Sequence, residues 1–300
     1  MSGRDVGASV RQRLLNQARS QGRPFQELLQ YFAMERFLYR LSKSPFAERF
    51  ILKGALLLTA WRAPVARPTM DIDLAGKTSN DLEHIRSLVG EVCGFASEPD
   101  GIEFNAASIE VKRIKENAEY EGVRVRFNAT LAKARIPMQI DIGFGDVIVP
   151  SPIEIEYPAM LEFPPSFLMA YPKETVVAEK IEALTVLGLL NSRVKDYYDI
   201  ALLARLYPFD GDLLAEAIRS TFRHRGTAID PSPVGLTEAF STDPARTVQW
   251  RAFVRRSRFN SESGLNEIVA QVRLFASAPL SAIAREDGFH LKWRPGGPWE

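Results

Sequence analysis

The stretch Arg67-Pro68-Thr69-Met70-Asp71-Ile72-Asp73-Leu74 decides how this chain is read. From Met70 to Leu74 apolar and acidic residues alternate, which is the period of a β-strand. Side chains two apart in a strand share a face, so Asp71 and Asp73 project together. Two carboxylates this close repel unless a positive charge lies between them. A divalent cation supplies that charge, and hard cations such as Mg²⁺ or Mn²⁺ take carboxylate oxygens. Standing alone, the pair also fits the solvent-facing acidic edge of a half-buried strand, so the neighbouring motifs carry the decision.

Upstream, Lys53-Gly54 opens a predicted helix from Lys53 to Trp61, where a glycine lets backbone N–H groups approach a phosphate closely. Downstream, Gln139-Ile140-Asp141-Ile142 is a second alternating strand, and Asp141 offers a third carboxylate that completes a cage for two ions. Farther on come Glu179-Lys180-Ile181-Glu182-Ala183 and Ser192-Arg193-Val194-Lys195-Asp196-Tyr197-Tyr198-Asp199. Asp196 and Asp199 are neighbours on one helix face. Lys180 and Arg193 fit surface ion pairs with them, each worth about 0–1 kcal/mol, or contacts to a phosphate.

Outward from these motifs the periodicity sets the architecture. Two helices precede them: one carries Leu14, Leu15 and Ala18, and one opens after Pro24 and ends at Pro45. Asn80, with Glu83 three residues on, reads as the N-cap of a helix bearing Leu82, Ile85, Leu88, Val89 and Val92. Strands are predicted at 102–104, 109–114, 123–131 and 138–144, with a hairpin turn at Asn117–Gly122 and a short strand at 153–155. Prolines 150, 152, 158, 164 and 165 mark a connection. Helices are expected from Glu174, at 194–206, 212–224, 244–258 and 263–276, and then an irregular tail. The class is α+β: a mixed or mainly antiparallel sheet flanked by helices, followed by a mainly helical half. Residues 1–160 read as the helical N-terminus with the sheet domain and 161–300 as the helical domain, with the active-site cleft expected between them.

The motifs together resemble the nucleotidyl transferase AbiEii/AbiGii toxin family, which includes the MenT-type toxins. The matching stretches are Leu52-Lys53-Gly54, Arg67-x-Thr69-x-Asp71-x-Asp73, Ile140-Asp141-Ile142, Glu179-Lys180-Ile181-x-Ala183 and Ser192-Arg193-x-Lys195-Asp196-x-Tyr198-Asp199, in the family's order over residues 52–200. The resemblance implies a nucleotidyltransferase-like domain that transfers a nucleoside monophosphate from an NTP. It also implies RNA, especially tRNA 3′ ends, as acceptor in some members, and a cognate antitoxin. On that basis Asp71 and Asp73 would hold the metal, and Asp141 would hold a second ion or act as base. Lys180 would contact the triphosphate, Asp199 and Asp196 would orient Lys180 or bind nucleotide, and Arg67 and Arg193 would contact phosphate. One departure is that Ala55 and Leu56 follow Lys53-Gly54 where the family has a second glycine and then a hydroxyl residue.

Composition narrows the classes further. Across 300 residues, Lys and Arg number 38 and Asp and Glu 37, a net charge of +1, so bulk charge does not bind nucleic acid and any basic patch is local. Arg219, Arg223, Arg225, Arg246, Arg251, Arg255, Arg256 and Arg258 face only Asp230, Glu238 and Asp243 in that stretch, giving it a charge near +5. Arg251, Arg255 and Arg258 repeat on one helical face and are the expected RNA contacts, while Trp250, Phe253 and Phe259 read as core. Cys93 is the only cysteine and His84, His224 and His290 lack metal-ligand spacing. The longest apolar runs are short for a membrane span, and a cytoplasmic location is expected. Two other functions fit the same residues: an NTP-dependent transferase acting on a small molecule, and a catalytically silent binding module that would have lost a carboxylate.

Overall fold

The computed structural model describes residues 5–63, 67–115, 121–257 and 263–300. The chain divides into two compact units, Met1–Gly145 with Ile153–Ala170, and Asp146–Pro152 with Tyr171–Glu300.

The first unit opens with α1 (Val6–Gln21) and α2 (Phe25–Lys43). Asp5 caps α1 by accepting from the Ala8 amide, and Gly22 ends it in the left-handed region at φ 63°. Every residue of α2 from Leu28 to Leu41 is buried. There follow β1 (Phe50–Lys53), α3 (Leu56–Ala60), β2 (Ile72–Gly76), α4 (Leu82–Cys93), β3 (Ile102–Lys115), β4 (Glu121–Leu131), β5 (Ala134–Phe144), β6 (Ile153–Tyr157) and β7 (Ser166–Ala170). The strands form one seven-stranded sheet in the order β3-β4-β5-β2-β1-β7-β6. β2 runs parallel to β5 and β1 parallel to β7, and the remaining pairs are antiparallel. The mixed sheet with flanking helices is the α+β class that the sequence predicts. Its apolar face carries Ile72, Leu74, Val123, Val125, Phe127, Ile140 and Ile142, all buried. Phe37 of α2 meets Phe104 and Phe127 at centroid distances of 5.8 and 5.7 Å.

Several boundaries differ from the sequence expectation. Lys53 ends a strand and does not open a helix. All four residues of β1 are buried, so the strand has no alternation to reveal it. The helix after Gly54 is only five residues long. Asp81, not Asn80, caps α4, accepting from the His84 amide at 2.9 Å. The two strands expected within 102–114 are one, β3, broken in register between Asn105 and Glu110 as at a bulge. β7 went unpredicted among the prolines. The hairpin turn at Asn117–Gly122 falls largely outside the described residues.

The second unit holds α5 (Lys173–Leu187), α6 (Val194–Leu206), β8 (Phe209–Asp210), α7 (Gly211–His224), α8 (Glu238–Ser241), α9 (Pro244–Ser257), α10 (Leu265–Ala284) and β9 (Lys292–Trp293). By length and composition alone α10 could cross a membrane. It packs against α6 and α7, with Ile268, Val272, Phe275, Ala276 and Leu280 buried, as in the core helix of a globular unit. The expected irregular tail is instead docked. β9 pairs with β8, Trp293 Nε1 donates to the Ala204 carbonyl at 2.6 Å, and Trp299 Nε1 donates to the Phe275 carbonyl at 2.8 Å. Two tryptophans supply enough apolar area to hold a segment whose prolines suggest disorder.

Candidate active site

The parallel pairing of β2 with β5 sets Asp73 beside Asp141, with Ile72 beside Ile140 and Leu74 beside Ile142. The isoleucines and leucine take the core face, so both aspartates take the other. β1 places Lys53 opposite Asp73, and β4 places Arg124 opposite Asp141. Four adjacent strands therefore carry one row of charges, Lys53, Asp73, Asp141, Arg124, in the order plus, minus, minus, plus. Asp71, two residues before Asp73, sits just ahead of β2. One carboxylate oxygen from each of Asp71, Asp73 and Asp141 lies within 4.8 Å of the other two. Three hard oxygen donors this close fit a divalent cation of the Mg²⁺ or Mn²⁺ class.

Neighbouring side chains fix each carboxylate. Thr69 Oγ1 donates to Asp71 Oδ1, and the Thr69 amide donates to Tyr31 Oη at 3.1 Å, which ties the residues ahead of β2 to α2. Arg124 donates from Nε to Asp141 Oδ1 at 2.7 Å and from Nη2 to Asp141 Oδ2 at 2.6 Å. Those bonds, with the charges of Asp141, Asp71 and Asp73, hold the guanidinium above its ordinary pKa against a smaller opposing effect of burial. Gln139 Nε2 adds a longer bond to Asp141 Oδ2 at 3.4 Å.

Gly54 lies at φ 76°, in the region that glycine adopts most easily. A Cβ there would overlap the Asp73 carboxylate. The glycine thus makes room for a site carboxylate. Ala55 has helical backbone angles and needs no glycine. Lys53 and Arg67 are both buried.

The second motif folds into a cluster of its own in the other unit. Lys180 of α5 pairs with Asp196 at 2.6 Å and Asp199 at 2.9 Å, both on α6. Arg193 Nε lies 3.0 Å from Asp196 Oδ2. The Asp196 and Asp199 side chains are only 1% and 4% exposed, so these are buried ion pairs and not the surface pairs that the spacing also allowed. Burial alone would raise the Asp196 pKa, but Lys180 and Arg193 outweigh it and hold the carboxyl below its usual range. Its place in the first turn of α6 favours the charged form as well.

On α5, Glu182 and Glu179 turn to Arg225, at 2.8 and 3.5 Å, and Asp146 lies 3.8 Å from the same guanidinium. Thr227 donates to Glu182 at 2.7 Å. Arg225 is therefore a half-buried tie between α5 and the end of α7, which removes it from the expected basic surface. Arg219 pairs with Glu216, and Arg246 bonds Gln249. Arg251, Arg255 and Arg256 are exposed. Arg251 and Arg255 line a groove of about 550 Å³ with Thr247, Trp250 and the start of α10. Trp250 is buried, and Phe253 stacks edge-on against Tyr198 at 5.7 Å. Arg258 and Phe259 lie outside the described residues. Cys93 is buried at the end of α4, and desolvation pushes its thiol up to about 12, so it is inert packing.

The sequence does not reveal Arg124, Thr69 as the partner of Asp71, or the pairing of Arg225, counted there with the basic stretch, to Glu179 and Glu182. The available signal for Arg124 was its polar place in the alternating Val123-Arg124-Val125-Arg126-Phe127, though only strand register shows which carboxylate it meets.

A mixed sheet that presents Asp-x-Asp on one strand and a third aspartate in register on the parallel neighbour is the arrangement of a nucleotidyltransferase. The profile of the family described as nucleotidyl transferase AbiEii toxin, type IV TA system, matches residues 36–271, and the chain belongs to this family. That membership implies a nucleotide substrate and an antitoxin partner. Two solved structures are similar over most of their length. One, from H. pylori, carries the provisional description of a nucleotidyltransferase; it is 16% identical, the match covers 87% of this chain and 96% of that one, and the TM-score is 0.47. The other is JHP933 from Helicobacter pylori, 17% identical over 87% of this chain and 93% of that one, with a TM-score of 0.48. No curated protein matches the chain.

Proposed function

We propose that the chain transfers a nucleoside monophosphate from an NTP to a hydroxyl of an RNA acceptor, such as a tRNA 3′ end, with Asp71, Asp73 and Asp141 holding Mg²⁺ or Mn²⁺. The observation that carries this reading is the gathering of the three carboxylates on one sheet face. When bound, such a cation neutralises charge on the phosphate oxygens as pyrophosphate leaves. The chain's own residues do the positioning. Thr69 orients Asp71, Arg124 orients Asp141, and Gly54 leaves space for Asp73. Within the second unit Lys180, held between Asp196 and Asp199, and Arg193 are candidates for contact with a phosphate, as Arg67 is within the first.

The acceptor reading rests on Arg251 and Arg255, exposed on one face of α9 and lining a groove of about 550 Å³ where a backbone phosphate would meet them. All three carboxylates are present and adjacent, which favours an enzyme over a silent binding module.

The test is transfer of label from an α-³²P NTP to total tRNA. Asp73→Ala removes a ligand that no nearby residue replaces, so transfer should drop by orders of magnitude while circular dichroism shows the chain still folded. Undiminished transfer by a folded Asp73→Ala protein would make the aspartate pair structural.

A further inference from the structure

Both oxygens of Asp141 are engaged by one guanidinium, in the two-pronged geometry that gives carboxylate–arginine pairs their strength. The pairing is built into the fold. Val123, Val125 and Phe127 turn to the core, so Arg124 emerges on the opposite face of β4, and the β4–β5 register places it directly across from Asp141. The pair is shielded: the Asp141 side chain is 10% exposed and that of Arg124 27%. On the other side of the row, Lys53 is buried opposite Asp73.

We propose that Arg124 tunes the metal site: it competes with the cation for the Asp141 carboxylate, so that the cation binds firmly only together with nucleotide. This rests on reading the aspartate triad as the metal site. Arg124, paired with Asp141, and Lys53, across from Asp73 in the strand register, offset part of the charge of the three carboxylates, so an incoming divalent cation meets less negative charge than three free carboxylates would present. Coulomb attraction for a bare cation is correspondingly reduced. A guanidinium fork fits phosphate as well as carboxylate, so a triphosphate gives Arg124 a second partner and loosens its hold on Asp141. The polyphosphate also brings the negative charge that the site lacks.

The experiment titrates Mn²⁺ into the full chain without nucleotide, reading free Mn²⁺ by electron paramagnetic resonance, with circular dichroism to confirm folding. Arg124→Gln should bind Mn²⁺ about tenfold more tightly than the parent, as expected for removing one nearby positive charge. Adding a non-hydrolysable NTP should narrow that gap. In an Asp141→Asn background the gain from Arg124→Gln should shrink, because the shared carboxylate is gone. Arg124→Lys keeps the charge and loses the fork, so its affinity should rise by a smaller factor, about threefold, and it carries the test should Arg124→Gln not fold. Unchanged or weaker Mn²⁺ binding by the folded Arg124 variants would overturn the proposal. Asp73→Asn separates the two levels: it should weaken Mn²⁺ binding in every background. If it does not, the ion binds elsewhere, and the metal-site reading falls together with the role of Arg124.

Discussion

Replacing Gly54 with alanine tests whether the loop between β1 and α3 is shaped by its backbone or by the carboxylate beside it. Two separate penalties follow from the structure. At φ 76° an L-residue is strained by about 1–2 kcal/mol. The added methyl also meets Asp73, with its Cγ at 2.6 Å and its Cβ at 2.7 Å, and overlap of that kind typically costs about 1–3 kcal/mol. Together they predict a loss of about 2–5 kcal/mol, with Asp73 displaced and nucleotidyl transfer reduced. A double-mutant cycle divides the two. In an Asp73→Gly background the overlap is gone and only the backbone strain remains, so Gly54→Ala should cost about 1–2 kcal/mol there. Urea denaturation of the four proteins measures the coupling, provided the denaturant slopes agree. Equal losses in both backgrounds would mean that Gly54 answers only to its backbone angle and makes no room for Asp73.

Lys180→Ala should lower stability by about 3 kcal/mol, because it removes a charge partner from two buried carboxylates, as well as weaken nucleotide binding and turnover. A change under about 1 kcal/mol would mean that the pairs act as surface pairs despite their burial. Arg251→Glu with Arg255→Glu should flatten the salt dependence of tRNA binding, the slope falling by about one for each phosphate that is no longer neutralised. An unaltered slope would move the acceptor elsewhere. Glu35 of α2 offers a pH test. Burial lifts its pKa from 4.5 to about 7 against the attraction of Arg36, while the Met160 amide donates to it at 2.6 Å. The folded chain then binds the proton more tightly than the unfolded chain between those values. Stability should accordingly fall as pH rises from about 4.5 to 7, by roughly 3 kcal/mol from this group, and level off above. Glu35→Gln should remove that part of the slope. An unchanged stability–pH profile in this variant would show that Glu35 is not its source.

The parts of the fold legible in the sequence are those where one side of an element faces water. Alternation exposes β2, β4 and β5 because their even and odd residues meet different solvents, and a 3.6-residue stripe exposes α4 and α7 for the same reason. β1 and β7 lack that contrast or lie between prolines. The tail hid its anchors, since the fit of Trp293 and Trp299 against Phe275 depends on a surface assembled from distant segments.

The site divides along the same line. Residue type and spacing determined that Asp71 and Asp73 share a face, that Asp141 lies on a strand of the same kind, and that Asp196 and Asp199 lie one helical turn apart; these are properties of chain geometry within a few residues. Tertiary structure alone decided that Asp141 stands in register with Asp73, that Arg124 grips it, and that Gly54 yields space to Asp73. It alone also decided that Lys180 is buried between its two aspartates while Glu179 and Glu182 turn to Arg225. Each of these joins residues far apart in the chain, and strand register or helix packing, which local periodicity does not encode, sets which side chains meet.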